Sequence, residues 1–273
     1  MAIREVLKLK LPENVVHFLR QVHIIEKTTI NRIKIWYYNK IYRNQVDNPN
    51  QIPVIINNFN RFEYLKRLIY SLERIGITNI YILDNDSVYP PLLEWYETCP
   101  YKVIRLSKNL GYMALWKSEL FEIFRKSYYV YTDADLELSD DCPDDLMKRM
   151  MELLKRYPYA QKVGCALRID DIPDCYELKD SVIANESRFW ENEIEPDLYK
   201  AMVDTTFAMY RPYCYGPSSW NFLTLRLGGK YSIRHLPWYV DSSNLSEEEL
   251  FYKSLYKKGG PGISTGWYSQ KNN

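Results

Sequence analysis

Short apolar runs alternate with amphipathic stretches along residues 52–167 of the chain. Apolar, β-prone runs predict strands, whereas apolar positions that recur every three or four residues predict helices. The pattern predicts strands at 54–57, 80–84, 103–106, 128–132 and 163–167, with helices at 63–74, 92–96, 115–124 and 144–157. This alternation predicts an α/β fold, with a mainly parallel sheet covered by helices on both faces. The spacing becomes irregular from there to residue 235, so we expect loops and mixed strands in that part.

The first 50 residues have a different pattern and predict a helical appendage. Their apolar positions have partly helical spacing, which indicates one or two amphipathic helices. Nine Lys and Arg against four Asp and Glu give this segment a net charge of +5. We expect the helices to pack on their own domain; the alternative is peripheral contact with an anionic membrane surface. The polar segment 45–51 predicts a connection into a main domain at 51–273, divided into halves at 51–140 and 141–273.

The overall charge and the cysteines exclude several classes of protein. Because 36 Lys and Arg balance 35 Asp and Glu, there is no basic field to hold nucleic acid. The five cysteines form no CxxC pair, which favours reduced thiols and a cytoplasmic location over a disulfide framework or a zinc site. No apolar run approaches the ~20 residues that span a bilayer, so we expect a soluble or peripherally bound protein.

Polar residues follow each of the first four predicted strands. Open parallel sheets bind ligands at the carboxyl ends of their strands, so these positions are the candidates for chemistry. In chain order they are Asn57-Asn58-Phe59-Asn60-Arg61, Asp84-Asn85-Asp86-Ser87, Lys108-Asn109-Leu110-Gly111 and Asp133-Ala134-Asp135. We expect all four groups to meet in one crevice.

This succession of motifs resembles the GT-A glycosyltransferases, especially the large family 2 group, over residues 52–140. The resemblance implies a GT-A fold and transfer of a sugar from a nucleotide diphosphate donor, usually a UDP-sugar. It implies that residues 51–140 are the donor half, which binds the nucleotide-sugar, and that residues 141–273 are the acceptor half. The acceptor would be a hydroxyl of a glycan or glycoconjugate, as in polysaccharide biosynthesis. It further implies that residues 57–59 (Asn57, Asn58 and Phe59) line the base and ribose pocket and that Asp84 accepts hydrogen bonds from the base.

Four further residues are candidates for donor contact. The resemblance places Asn109 and Gly111 close to the nucleotide, because glycine allows backbone conformations that other residues rarely adopt. Arg61 and Lys108 are candidates for phosphate contact, although exposed cations are often only solvated.

Asp133 and Asp135 stand two residues apart where the fourth strand ends. Two carboxylates at this spacing can bind a hard divalent cation such as Mn²⁺ or Mg²⁺. The resemblance implies that this metal bridges the two phosphates of the donor and that His235, in the acceptor half, is a further ligand. A solvated acidic loop and a hydrogen-bonded structural histidine are the alternatives.

An inverting transferase needs a carboxylate that takes the proton of the acceptor hydroxyl. Asp204 interrupts a β-prone stretch of the acceptor half and is the first candidate; an ion pair with Arg211 or Arg168 would explain it without catalysis. The other candidates are Asp170, Asp171, Asp241 and the run Glu247-Glu248-Glu249. Many family 2 enzymes have a Glu-Asp pair before the late histidine, and this chain has none, so a retaining mechanism stays open.

Two other functions are compatible with parts of the sequence. A sugar-phosphate nucleotidyltransferase shares the sheet and the metal-binding carboxylates, but it normally has a glycine-rich basic loop after the first strand. A non-catalytic carbohydrate-binding protein could use the acidic pair for a structural cation. The glycine-rich segment 257–267 is either a flap over the diphosphate or a tail.

Overall fold

A computed structural model describes residues 46–214, 216 and 223–256, together with single positions between residues 12 and 37. Most of the predicted N-terminal appendage and all of the glycine-rich segment 257–267 lie outside the described residues. Their predicted roles, including membrane contact and a flap, therefore stay predictions. None of the helices in the described part of the chain is long and apolar enough to cross a membrane.

The described residues form strands and helices with short 3₁₀ turns between them. The strands are β1 (Val54–Asn58), β2 (Ile80–Asp84), β3 (Lys102–Arg105), β4 (Tyr129–Asp133), β5 (Leu136–Leu138), β6 (Lys162–Cys165), β7 (Glu193–Glu195), β8 (Leu198–Lys200), β9 (Ala208–Tyr210), β10 (Thr224–Leu227) and β11 (Ile233–His235). The helices are α1 (Glu63–Arg74), α2 (Pro90–Tyr96), α3 (Ala114–Lys117), α4 (Leu120–Phe124), α5 (Leu146–Arg156), α6 (Lys179–Glu186) and α7 (Glu247–Tyr256).

Nine strands form the central sheet in the order β3-β2-β1-β4-β9-β6-β10-β8-β7, and β5 pairs with β11 in a separate ribbon. Pairing is parallel from β3 to β4 and again between β6 and β10. Strand β9 lies between these two parallel groups and is antiparallel to both β4 and β6. The predicted α/β class is confirmed, and the second half of the sheet is mixed.

Both faces of the sheet are buried. Consecutive residues of β1 are apolar and point to opposite faces, so both faces need to be covered. Val54 and Ile56 belong to a core that also contains the apolar side of α1, α2 and α5. Ile55 points to the opposite core, which contains residues of α3 and α4. The helices therefore cover both faces, and the carboxyl ends of β1 and β4 remain open at one edge.

The predicted helix at 115–124 is two short helices, because the chain breaks at Ser118. Ser118 has extended backbone angles at the end of α3, and its hydroxyl donates a hydrogen bond of 2.9 Å to the carbonyl of Leu115. Such local side-chain bonds compete with the backbone bonds of a helix. The aromatic residues of both pieces still reach the same core.

Helix α7 docks on the loop that joins β1 to α1. Phe62, the residue that precedes α1, has an apolar side chain that cannot cap the helix. Instead, one carboxylate oxygen of Glu248 accepts hydrogen bonds from the backbone N–H groups of Phe62 and Glu63, at 2.7 and 2.6 Å. The neighbouring Glu249 forms a buried ion pair of 2.7 Å with Arg61. Helix α7 thus supplies the cap that α1 lacks.

Residues 168–235 contain more regular structure than their spacing predicted. Helix α6 and the short strands β7–β10 lie there. The strands are only three or four residues long, too short to show a clear alternation of apolar and polar positions. Their conformation depends on sheet neighbours that are distant in the sequence.

Candidate active site

A cavity of about 810 Å³ opens where β1 and β4 end, and residues from both halves of the chain line it. Its lining contains most of the residues predicted from the sequence: Asn57, Phe59, Arg61, Gly111, Asp133, Asp135, Asp204 and His235. Asn58, Asp84 and Asn109 are not part of the lining. The predicted crevice therefore exists, and four of the predicted residues do not line it, because Lys108 is also absent from the lining.

Asp133 is the last residue of β4 and lies beside Asn57 of β1 in the parallel register. Its carboxylate accepts a hydrogen bond of 2.5 Å from the Thr205 hydroxyl, and its backbone N–H donates to the Thr205 carbonyl at 3.0 Å. Burial raises the pKa of Asp133 well above its usual range, and the negative charges of Asp135 and Asp204 raise it further. A nearby positive charge would stabilise the ionised form of this carboxylate.

His235 reaches Asp135 because β11 pairs with β5. The antiparallel register sets His235 opposite Leu136, and Nε2 of His235 lies 3.4 Å from Oδ2 of Asp135. Burial acts to raise the pKa of Asp135. The attraction and hydrogen bond of His235, together with the charge of Arg61, outweigh burial, and the pKa is lowered. The pKa values of the two neighbouring aspartates are therefore shifted in opposite directions.

The oxygen atoms of this region fit a hard divalent cation. Oδ1 of Asp135 and Oδ1 of Asn57 are buried and have no hydrogen-bond partner among the described residues. Buried oxygens in this state are suited to Mn²⁺ or Mg²⁺, which prefer oxygen ligands. The described residues contain no ready-made group of three or more His, Cys, Asp or Glu side chains that could hold a metal. A bound cation would therefore need further oxygen ligands from outside the protein.

Asp204 lies in the segment between β8 and β9, with its side chain exposed at the cavity. The ammonium group of buried Lys162 donates to the backbone carbonyl of Asp204 at 2.8 Å and to the Tyr210 hydroxyl at 2.7 Å. These bonds tie the segment that carries Asp204 to β9. Arg168 pairs with Asp170 and Asp171 instead. No ion pair involving Asp204 occurs in the described part of the chain, so neither arginine considered above accounts for its presence.

The other candidate bases lie outside the cavity lining. Asp171 accepts hydrogen bonds from Arg234 and Tyr239, and Asp241 accepts from Ser243. Glu248 and Glu249 hold the loop after β1, as described above. Besides the acidic pair, the carboxylates that line the cavity within the described part of the chain are those of Asp204 and Glu186.

Asp84 and Asn58 belong to a buried network behind the cavity wall. The Asn58 amide donates to the Tyr96 hydroxyl at 2.8 Å, and this hydroxyl donates to Asp84 at 3.2 Å. Nε of Arg105 donates to the other carboxylate oxygen of Asp84 at 3.3 Å. Asp84 is fully buried. Its contact with the donor base stays a prediction, while its bonds show that it anchors the ends of β1, β2 and β3.

The Asn109 side chain is hydrogen-bonded to the backbone of Gly111, which lines the cavity. The Asn109 side chain accepts from the N–H of Gly111 at 2.7 Å, and Gly111 has a φ of +70°, which favours glycine. Asn85, which also lines the cavity, donates to the Gly111 carbonyl at 3.0 Å and accepts from the Leu110 N–H at 2.7 Å. Two asparagine side chains thus fix this stretch of backbone at the cavity wall.

Several lining residues were not predicted from the sequence. They are Thr205, Glu186, Arg188, Phe189, Arg226 and Tyr252. All come from residues 186–252, where the sequence pattern predicted no strand end that leads to the cavity. Only the fold brings them to the cavity.

Fold and cavity together define an α/β protein with an acidic pair at the carboxyl edge of a sheet. Residues 54–212, more than half of the chain, match the model of the family described as Glycosyl transferase family 2. The chain belongs to glycosyl transferase family 2, and the resemblance to GT-A transferases is confirmed. No curated protein matches the chain.

Solved structures with a similar arrangement have low sequence identity to this chain. A crystal structure of GalNAc-T7 with UDP, GalNAc and Mn²⁺ is 14% identical over 67% of this chain and 43% of that chain, with a TM-score of 0.42. Glucosyl-3-phosphoglycerate synthase from Mycobacterium tuberculosis with Mn²⁺, uridine-diphosphate-glucose and phosphoglyceric acid is 13% identical over 59% of this chain and 56% of that chain, with a TM-score of 0.35. The chain thus spans about half the length of these two proteins.

Proposed function

We propose that the chain is a metal-dependent glycosyltransferase that moves a sugar from a UDP-sugar to a hydroxyl of a glycan or glycoconjugate, with inversion at the anomeric carbon. The observation that carries the proposal is the acidic pair Asp133 and Asp135 in one cavity with the exposed carboxylate of Asp204. Membership of glycosyl transferase family 2 supports the same reaction class.

The donor half of the cavity suits a nucleotide diphosphate. Asn57, Phe59 and the backbone of Gly111 line it at the ends of the parallel strands, where such sheets bind nucleotides. The guanidinium of Arg61 is buried, paired with Glu249 and placed 3.6 Å from the centre of the Tyr252 ring. This rigid cation, whose charge lowers the pKa of Asp135, is the candidate for phosphate contact.

Asp133, Asp135 and His235 are the residues that would hold Mn²⁺ or Mg²⁺. Bound there, the cation would offset the negative charge that grows on the departing diphosphate. The chain itself fixes the two carboxylates through the Thr205 hydroxyl and the imidazole of His235.

Asp204 is the candidate general base. The acceptor oxygen would attack the anomeric carbon from the face opposite the nucleotide, the bond to the diphosphate would break, and the acceptor proton would pass to the Asp204 carboxylate. Asp204 is exposed at the cavity and has no ion pair among the described residues, so its carboxylate is available to a bound hydroxyl. The hydrogen bond from Lys162 goes to the backbone carbonyl of Asp204, so it fixes the segment and leaves the carboxylate oxygens to the acceptor.

The test is binding of UDP with and without Mn²⁺, measured as a shift of the unfolding temperature. UDP at about 100 times its dissociation constant stabilises a protein by roughly 2.7 kcal/mol, which is readily detected. We expect stabilisation by UDP that depends on Mn²⁺, loss of it in Asp135→Asn, and retention in Asp170→Asn, whose carboxylate is exposed and outside the cavity.

Two results would count against the proposal. Equal stabilisation of the wild type and Asp135→Asn would remove the metal role of the acidic pair. No stabilisation of the wild type by any nucleotide diphosphate would remove the donor site itself.

A further inference from the structure

The acceptor end of the cavity contains an aromatic ring between two arginine side chains. The centre of the Phe189 ring lies 4.5 Å from the guanidinium carbon of Arg226 and 4.7 Å from that of Arg188. All three residues line the cavity. Arginine–aromatic contacts of this kind hold planar guanidinium groups in fixed orientations.

Among the described residues, one of these two arginines is ion-paired, and the other is not. Arg226 is buried and forms an ion pair with Glu186, so these two charges compensate each other. Arg188 is exposed and forms no ion pair with any residue in the described part of the chain. Moreover, Nε of the buried Arg226 has no hydrogen-bond partner among those residues. Arg188 is therefore a guanidinium without an ion pair in the described part of the chain, and Asp204 is the carboxylate without one on the same side of the cavity.

The segment that carries Arg188 and Phe189 is held closely against the sheet. Its last residue, Trp190, lies over Gly228, where an added Cβ would come within 2.9 Å of the Trp190 ring. Trp190 also makes an edge contact with Tyr199, with ring centres 5.1 Å apart. The arginines are thus presented from a fixed surface, as a preformed binding site requires.

We propose that this end of the cavity binds an anionic acceptor, one that carries a carboxylate or a phosphate group on the sugar or glycoconjugate. The assignment rests on the proposed transferase function, because it takes the half of the cavity that contains Asp204 as the acceptor side. Guanidinium groups bind carboxylate and phosphate with two parallel hydrogen bonds. The donor side has its own buried cation, Arg61, at the end of β1.

The test compares three probes of similar size that differ in charge: methyl β-glucoside, methyl β-glucuronide and glucose 6-phosphate. Their binding is measured by ligand-observed NMR in the presence of UDP and Mn²⁺. We expect at least one of the two anionic probes to bind on the order of tenfold more tightly than the neutral one. Which of the two binds better distinguishes a carboxylate from a phosphate acceptor, and the preference should fall with added salt because Arg188 is exposed.

Matched variants connect the preference to this site. Arg188→Gln should abolish the preference for anionic probes, while Arg188→Lys should retain part of it. Arg156→Gln is the control, because Arg156 is an exposed, ion-paired arginine outside the cavity. Unfolding midpoints close to that of the wild type would show that each variant is folded.

The outcomes separate this inference from the proposed function. If UDP binds and all three probes bind the wild type equally, the anionic acceptor is refuted and the transferase proposal stands. If the anionic probes bind when UDP is left out and are displaced when it is added, the arginines serve the donor, and the inference is overturned. If UDP does not bind at all, the transferase proposal fails, and the acceptor assignment fails with it.

Discussion

Gly164 of β6 controls the position of the segment that carries Asp204. An added Cβ at Gly164 would lie 2.4 Å from Cγ1 of Val203, 3.0 Å from Cβ of Ala208 and 3.2 Å from the carbonyl oxygen of Phe207. Val203 is fully buried and immediately precedes Asp204. The substitution Gly164→Ala should therefore displace the proposed base through its neighbour in the chain.

The size of the effect follows from the contact distance. Carbon atoms in contact are normally about 3.5–4.0 Å apart, so Val203 would have to move by about 1 Å. Overfilling a packed core in this way typically costs about 1–3 kcal/mol of unfolding free energy. Because a misplacement of about 1 Å can reduce a reaction rate about 10²-fold, turnover should fall more than stability suggests.

A double-mutant cycle with Val203→Ala tests this reasoning. Unfolding free energies are measured by urea titration for the wild type, both single variants and the double variant, alongside metal-dependent release of UDP from a UDP-sugar. Removing Cγ1 of Val203 makes room for the new methyl group, so Gly164→Ala should cost at least about 1 kcal/mol less when it is combined with Val203→Ala. Additive costs would refute the steric account, and so would an unchanged rate in Gly164→Ala.

Three further predictions concern the base, the lysine beneath it and the α1 cap. Asp204→Asn should lower the transfer rate by roughly 10²–10⁴-fold while UDP binding is retained; a normal rate would assign the base elsewhere. Burial lowers the pKa of Lys162 from 10.5 to about 7. At pH values between 7 and 10.5 the unfolded chain therefore binds more protons than the folded one, and the free energy of unfolding should rise with pH. Urea unfolding at pH 7 and pH 9 should show this rise, at most about 1.4 kcal/mol per pH unit, and Lys162→Met should flatten it; equal slopes would contradict the assignment. Glu248→Ala should cost about 1 kcal/mol of unfolding free energy because it removes the cap of α1, and the exposed neighbour variant Glu247→Ala should cost much less; equal losses would argue against capping.

Local patterns predicted the donor half of the fold well. The bounds of α1 at 63–74 and of β2 at 80–84 agree with the structure. Strong periodicity identified both elements, and Gly76, with a φ of +78°, stands just beyond the helix. The polar residues after β1 and β4 reached the cavity because the ends of parallel strands share one edge.

The parts of the site that sequence could not predict depend on contacts between distant segments. The family resemblance pointed to His235 as a ligand, but its contact with Asp135 depends on the pairing of β11 with β5, and neither three-residue strand has a pattern of its own. Arg226 and Phe189 come together across the acceptor half. For Asp84, the sequence motif was recognised but its contacts were not. The spacing could not show that Tyr96 and Arg105 donate hydrogen bonds to the Asp84 carboxylate.

The antiparallel strand β9 has a consequence for how the chain matures. It forms hydrogen bonds with β4 on one side and β6 on the other, so its pairing is complete only when both of these strands are in place. Pairings between distant segments form slowly, and during synthesis β4 and β6 expose unpaired edges until residue 208 has been added. We expect the segment that carries Asp204 to order only after β4 and β6 are in place, and newly made chains to need protection from aggregation until then.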